Sequence, residues 1–147
     1  MESCGESSYR ARLLESTTGD PRFVWHAPLP EDRVVPFLAS LDVCVILSIW
    51  LETGPLVLFE AANASTPVIT SRLGGPAELV QDGDTGFLFS PGDAAALAAI
   101  IRGILEDPSR LAHFIGRLPK RSMVDVAAET EVAYLNLIAA GRTPATH

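Results

Sequence analysis

The stretch LDVCVILSIWLETGPLVLFEAANASTPVIT, residues 41–70, decides the fold. It contains a strand that we expect at residues 42–47, of which residues 43–47 are an unbroken apolar run with β-branched side chains, and it continues through a loop into a helix that we expect at residues 54–64. A second β-rich run follows at residues 67–70. Continuous apolar strands are typical of a parallel sheet that is covered on both faces. Strand, helix and strand at this spacing predict a βαβ unit.

The same alternation continues on both sides of this unit. The expected elements are helices at residues 9–17, 31–41, 74–80 and 122–140, strands at 23–26 and 87–89, a turn at 82–86, a helix N-capped by Asp93 and a helix after Pro108. Strands that alternate with helices predict an α/β fold with a Rossmann-like, doubly wound parallel sheet. The ligand site of such a sheet lies beyond the carboxyl ends of its strands.

Composition narrows the class of protein. The chain has 147 residues, of which 48% are hydrophobic and 20% charged, and this predicts a single domain over residues 1–147. A net charge of -7 disfavours nucleic acid and anionic membrane surfaces as partners. The sequence shows no secretory signal and no apolar run near the ~20 residues of a membrane span, so we expect a cytoplasmic protein. Cys44 lies in an apolar run and is expected to be a buried free thiol.

The segment SIWLETGPLVLFEA, residues 48–61, lies where a strand leads into a helix and is the candidate functional site. Pro55 suits the first helical position, so the free amides of Leu56 and Val57 should form an anion site at the helix start. Glu52 and Glu60 flank this site. A carboxylate beside a phosphate needs hydroxyl donors, which a sugar nucleotide supplies. Spacing alone nevertheless favours ordinary surface acids.

The sequence resembles the C-terminal lobe of the family-four retaining glycosyltransferases of the GT-B type. These enzymes carry two glutamates separated by seven residues, as Glu52 and Glu60 are here. Further matching segments follow in the same order: LDV at 41–43, Ser48, residues 54–61, TPVI at 66–69, GG at 74–75, ELV at 78–80, DG at 82–83, TGFLF at 85–89, PGD at 91–93 and ALA at 96–98. The resemblance extends from about residue 20 to residue 137.

The resemblance implies transfer of a sugar from a nucleotide sugar to an acceptor, with retention of configuration. It implies that Glu60 binds the ribose hydroxyls and that Glu52, the candidate catalytic residue, binds the hydroxyls of the donor sugar. The other implied donor-binding residues are Thr53, Gly54, Pro55, Leu56, Val57, Gly74 and Gly75. For the two glycines at 74 and 75, a simple turn before a helix is an equally good explanation.

The resemblance also implies that no metal or other cofactor is used, because backbone amides, a helix dipole and basic side chains stabilise the departing nucleoside diphosphate. The acidic motif DGD at residues 82–84 is interpreted as a plain turn, since Phe87 occupies a position where a calcium loop would have glycine.

Members of this family are longer than this chain. The N-terminal, acceptor-binding lobe and the first two strands of the donor lobe have no counterpart here, so we expect a truncated domain with an incomplete sheet. Residues 23–26 should either pair with residues 42–47 or lie detached, and unpaired strands could support a homodimer.

Two interpretations of the function stay open. The chain is part of a glycosyltransferase that needs the missing lobe or a second chain, or it is a non-catalytic remnant that binds a nucleotide sugar or a protein partner. We expect no sugar transfer by the chain alone.

Overall fold

The computed structural model describes residues 4–140. Contacts divide the chain into two compact units, Met1–Pro30 and Glu31–His147. The first unit contains helix α1 (Cys4–Thr17). The second contains α2 (Glu31–Leu38), β1 (Cys44–Ile46), α3 (Leu56–Asn63), β2 (Val68–Ser71), α4 (Gly74–Leu79), β3 (Phe87–Phe89), α5 (Ala94–Glu106), α6 (Ser109–Ala112) and α7 (Met123–Ala139).

The second unit is built on a parallel sheet. Within residues 4–140 the sheet has three strands in the order β1-β2-β3, and the register aligns Val45 with Ile69 and Thr70 with Leu88. All residues of the central strand β2 are buried. The predicted α/β fold with a parallel, Rossmann-like sheet and the predicted βαβ unit at residues 41–70 are therefore confirmed.

Helices cover both faces of the sheet. On one face, Leu38 of α2 and Leu58 of α3 belong to a buried cluster with Val68 of β2. On the other face, Ile69 of β2 belongs to a cluster with Ile104 of α5. Neighbouring residues of β2 therefore enter different clusters, as the alternation of side chains along a strand requires. This two-sided cover explains why the strands are continuous apolar runs.

Two of the predicted helix starts have well-formed caps. The Asp93 side chain accepts a hydrogen bond from the amide of Ala96 at 2.9 Å, which confirms Asp93 as the N-cap of α5. Ser122 and Asp125 form a capping box at the start of α7, and the hydrogen bonds from Ser122 lower the pKa of the Asp125 carboxyl. Many apolar side chains of α7 are nevertheless exposed, among them Val124, Val132, Tyr134, Leu135, Leu137 and Ile138.

The strand expected at residues 23–26 is wrong. These residues form no strand, and the side chains of Phe23, Val24 and Trp25 are all more than half exposed. Instead, the indole nitrogen of Trp25 donates to Thr17 Oγ1 of α1 at 3.0 Å. A β-rich composition is not sufficient for a strand, because the backbone also needs a neighbouring strand to pair with. The four-stranded alternative for the sheet is therefore wrong as well.

The helix expected at residues 31–41 ends earlier than expected, at Leu38. The amides of Ser40 and Leu41 donate to the carbonyls of Phe37 and Leu38, so the chain turns before it enters β1. No helix within residues 4–140 combines the length and the apolar composition that crossing a membrane requires.

Candidate functional site

The loops that follow β1 and β2 meet beyond the carboxyl ends of these strands. One loop joins β1 to α3 and contains Glu52, and the other leads from β2 into α4, which begins at Gly74. The amide of Gly75 donates to the backbone carbonyl of Glu52 at 2.6 Å. The structure thus brings Glu52, Gly74 and Gly75 together at the edge of the sheet where the sequence predicts a ligand site.

Both glycines are required by this close approach. Gly74 has a φ of +58°, and a Cβ built there would lie 2.6 Å from the carbonyl oxygen of Glu52. A Cβ at Gly75 would overlap the carbonyl group of Thr53. Glycine is the residue that permits both a positive φ and this proximity of two backbones. Packing between the loops is therefore sufficient to explain the two glycines, and their contact with a donor stays a prediction.

Two side chains from the same loop hold the carboxylate of Glu52. Ser48 is buried and lies two residues after the end of β1. Its hydroxyl donates to Oε1 of Glu52 at 2.8 Å. The indole N–H of Trp50 donates to the same oxygen at 2.9 Å. The sequence reasoning gave neither residue a role. Their positions four and two residues before Glu52 were the available signal, because side chains this near in a loop can reach the same carboxylate.

The start of α3 offers free backbone donors. Pro55 is the N-cap, with φ of −65° and ψ of 131°, rather than the first helical residue, and the helix begins at Leu56 instead of residue 54 as expected. The amide of Leu58 donates to the Pro55 carbonyl at 3.0 Å, and no side chain caps the helix. Within the described part of the chain the amides of Leu56 and Val57 have no acceptor. These donors and the positive end of the helix dipole favour an anion.

Glu60 lies further along α3 and is half-buried. Its negative charge acts on the thiol of Cys44 in β1: burial is the main cause that raises the pKa of Cys44, and Glu60 is the second. Glu60 is therefore near enough to Cys44 for its charge to act on the thiol. Cys44 is a free, buried thiol, as predicted. Of the other predicted donor-site residues, Leu56 and Thr53 are exposed, whereas Val57 packs against the hydrophobic core.

Gly54 connects the loop of Glu52 to the helix of Glu60. A Cβ built at Gly54 would lie 3.1 Å from Cε2 of Phe59, so the phenyl ring packs directly against this glycine.

The DGD segment forms the expected turn. The Asp82 carboxylate pairs with Arg72 and accepts from the amide of Leu88 at 2.9 Å, while Asp84 pairs with Arg117 at 2.6 Å. The amide of Gly83 donates a hydrogen bond to the Gly86 carbonyl across the turn. Both carboxylates are thus engaged by arginines. Within residues 4–140, no group of three or more His, Cys, Asp or Glu side chains is arranged to hold a metal ion.

A cavity of about 690 Å³ lies at the opposite end of the strands. It is bordered by Asp42 and Thr66, just before β1 and β2, and by Ile101 of α5. Ligands of open α/β sheets bind at the carboxyl ends of the strands rather than at this end. We therefore place the candidate site at the loops of Glu52 and Gly75.

Comparison with known proteins supports the same assignment. Residues 4–121 match the family described as glycosyl transferases group 1. The chain belongs to this family. It is 38% identical over 104 residues to a glycogen synthase of Mycobacterium tuberculosis and 37% identical over 106 residues to a sulfoquinovosyl transferase of Arabidopsis thaliana. These matches cover 71% and 70% of the chain but 23% and 20% of the relatives. The chain thus spans less than a quarter of their length.

Solved structures show the same fold. Sucrose-phosphate synthase from Thermosynechococcus elongatus matches with a TM-score of 0.76 and 29% identity, over 92% of the chain and 35% of that protein. HepE of Anabaena in complex with UDP matches with a TM-score of 0.73 and 26% identity, over 90% of the chain and 38% of that protein. The predicted resemblance to the C-terminal domain of a GT-B glycosyltransferase is confirmed.

Proposed function

We propose that this chain provides the donor site of a retaining glycosyltransferase and binds a nucleotide sugar in the angle between the Glu52 loop and the start of α3. The observation that carries the proposal is the combination of unpaired amides at Leu56 and Val57 with a fixed carboxylate in the preceding loop. Amides at a helix start bind phosphate, and a carboxylate accepts hydrogen bonds from sugar hydroxyls.

The two glutamates have different roles in this proposal. Glu52, in the loop, accepts hydrogen bonds from the hydroxyls of the transferred sugar and is the candidate catalytic residue. Glu60, further along α3, accepts hydrogen bonds from the ribose. Thr53, Gly54, Pro55, Gly74 and Gly75 complete the donor site, mainly through their backbone atoms.

In the proposed reaction, the bond between the anomeric carbon and the diphosphate oxygen breaks and the acceptor oxygen bonds to the same face of that carbon, so the product keeps the configuration of the donor. The hydroxyl proton passes to the departing diphosphate. The amides of Leu56 and Val57 and the dipole of α3 stabilise the charge that develops on the leaving diphosphate. We propose that this stabilisation needs no metal ion. Donor affinity should accordingly be the same with and without EDTA.

Complexes of a structural relative support the class of donor. HepE of Anabaena has been solved with UDP-glucose and with UDP and glucose, and these structures match the chain at 28% identity with TM-scores of 0.67 and 0.68. A uridine-diphosphate sugar is therefore the first donor to test for this chain.

Calorimetric titration of the chain with UDP-, GDP- and ADP-glucose and with the three free diphosphates tests the proposal. We expect one base to be preferred and saturable binding of its nucleotide sugar. Binding of none of the six would contradict the proposal. In an assembly that transfers sugar, NMR of the first product formed should show the anomeric configuration of the donor, and inversion would contradict retention.

We further propose that the active enzyme contains an acceptor-binding lobe or a second chain. In this proposal the chain alone transfers no sugar, because a bound acceptor must be held in line with the reacting carbon and such positioning contributes roughly 7–11 kcal/mol to catalysis. Measurable turnover by the purified 147-residue chain would contradict this. The alternative is a non-catalytic remnant that binds a nucleotide sugar or only a protein partner, and it would stay inactive with any acceptor lobe.

The outer edge of β1 supports the proposal of a partner. Within the described residues β1 is the last strand of the sheet, and Val45 and Leu47 are 38% and 60% exposed. The Cys44 amide donates to the Pro67 carbonyl, on the β2 side of the strand. Successive residues of a strand point their amides to opposite sides, so the Val45 amide faces the edge of β1 that no described strand covers. A second copy or the missing strands could pair there. Light scattering that shows a monomer, with rapid hydrogen exchange at Val45, would contradict this pairing.

We propose that the protein is located in the cytoplasm. The free thiol of Cys44 agrees with a reducing environment. Cell fractionation would test this assignment.

A further inference from the structure

Trp50 makes one specific polar contact while most of its surface is exposed. Its indole N–H donates to Oε1 of Glu52 at 2.9 Å, and 66% of the residue is accessible to solvent. A large aromatic side chain usually stabilises a fold through buried area. Trp50 buries little, so its contribution to the stability of the fold is small. Its contact with Glu52 is the feature that needs an explanation.

The hydrogen bonds of Glu52 are distributed unevenly over its carboxylate. Oε1 accepts from both Ser48, at 2.8 Å, and Trp50. Within residues 4–140 no protein group donates to Oε2. The carboxylate is thus anchored through one oxygen and can use the other for a ligand.

The backbone of Glu52 is anchored as well. Its carbonyl accepts from Gly75 at 2.6 Å, so the residue is held both by its own loop and by the start of α4. A carboxylate on an unrestrained loop would lose side-chain entropy each time a ligand bound it. Fixing the rotamer in the free protein removes this cost before the ligand arrives.

We infer that Trp50 is a positioning residue of the sugar subsite: its indole N–H holds the Glu52 carboxylate in the orientation that binds the donor sugar. This inference rests on the proposed function. It assigns Trp50 no direct contact with the reacting atoms. It also predicts that loss of the N–H affects the sugar part of the donor and leaves recognition of the nucleoside diphosphate unchanged.

The substitution Trp50→Phe removes the N–H and keeps an aromatic ring, so it separates hydrogen bonding from ring packing. We expect the affinity for UDP-glucose, measured by calorimetry, to fall by up to about tenfold, because the Glu52 side chain must then be ordered when the sugar binds. The affinity for UDP and the urea midpoint should stay unchanged. Equal losses for UDP and UDP-glucose, or no loss for either, would overturn the inference.

The chain offers a matched control in its other tryptophan. Trp25 is 51% exposed, and its indole N–H also donates to a side-chain oxygen, that of Thr17. Trp25→Phe therefore removes an indole hydrogen bond to an uncharged oxygen from a ring that is also more than half exposed. We expect no difference between its effects on UDP and on UDP-glucose. A sugar-specific loss as large as that of Trp50→Phe would overturn the assignment to Trp50.

The Trp25→Phe background also isolates the contact itself. The sequence has two tryptophans, so Trp50 is the only one left in this variant and its indole N–H gives a single NMR resonance. We expect Glu52→Ala to shift this resonance in the absence of ligand. An unshifted resonance would overturn the inference whatever the protein binds. Failure of the wild-type protein to bind any of the three nucleotide sugars or their free diphosphates would instead overturn the proposed function and, with it, the role of Trp50.

Discussion

The two glutamates of the site are held in different ways. Glu52 lies in a loop, where Ser48, Trp50 and the amide of Gly75 fix its side chain and backbone. Glu60 lies in the regular helix α3, which packs on the sheet through Leu58 and its neighbours. The position of Glu52 thus depends on a few specific contacts, and that of Glu60 depends on the fold as a whole. Substitutions in the loops should therefore disturb the position of Glu52 and leave that of Glu60 unchanged.

The largest difference between the effects on Glu52 and on Glu60 is expected for Gly75→Ala. The added Cβ would overlap the Thr53 carbonyl group, so the two loops must move apart and the hydrogen bond to Glu52 is lost. We expect a loss of about 1–3 kcal/mol in the free energy of unfolding, as for overpacking of a close contact. Affinity for UDP-glucose should fall more than affinity for UDP, because Glu60 stays in place. Urea denaturation and calorimetry measure the two effects.

Gly103→Ala is the control for this substitution. Gly103 lies inside α5, and its added Cβ would meet only the flexible end of Arg110. Alanine is favoured over glycine in a helix by about 1 kcal/mol, so stability should stay unchanged or rise. If Gly75→Ala were as well tolerated as Gly103→Ala, the loops would not be in contact as described.

A smaller effect is expected where the loop meets the helix. In Gly54→Ala the new Cβ lies 3.1 Å from the Phe59 ring, which must shift by a few tenths of an ångström. We expect a destabilisation of less than about 1 kcal/mol. Phe59→Leu removes the ring contact, so a double-mutant cycle should give a coupling energy of about 0.5 kcal/mol or more between the two positions. Additive effects would contradict the contact.

The smallest effect concerns the placement of Glu60. The negative charge of Glu60 helps to raise the pKa of the Cys44 thiol, so Glu60→Gln should lower that pKa and increase the thiolate fraction at pH 8. The pKa of Cys44, followed by the ultraviolet absorbance of its thiolate, should fall by less than about one unit. A Cys4→Ser background removes the second thiol. Glu52→Gln is the control, and an equal fall of the pKa in both variants would contradict the placement.

The fold was largely predictable because most residues of its strands are buried. The strands at residues 44–46 and 87–89 are apolar, and the strand at 68–71 is buried throughout although it ends in Thr70 and Ser71. All three lie in a parallel sheet that is covered by helices. Residues 23–26 have a similar composition, yet Phe23 is 53% exposed whereas Phe87 is 8% exposed. Phe87 has a paired strand and the ring of Phe114 at 4.7 Å. Local sequence cannot report whether such partners exist.

The site was predictable in its location but not in its detail. The strand-to-helix junction identifies the segment around Glu52, and Gly74 and Gly75 lie at the neighbouring junction. The hydrogen bonds of Ser48 and Trp50 to Glu52 depend on the path of the loop in three dimensions. The close approach of Gly75 to Thr53 joins segments that are far apart in sequence. Neither follows from spacing or helical periodicity.

The central claim is that Glu52 recognises the sugar of the donor and Glu60 its ribose. Calorimetry of Glu52→Ala and Glu60→Ala with UDP and with UDP-glucose tests it most directly. We predict that Glu60→Ala weakens both ligands by about 1.5–3 kcal/mol, as for loss of a charged hydrogen bond, and that Glu52→Ala weakens UDP-glucose by a similar amount and leaves UDP unchanged. Equal weakening of both ligands by Glu52→Ala would contradict the claim.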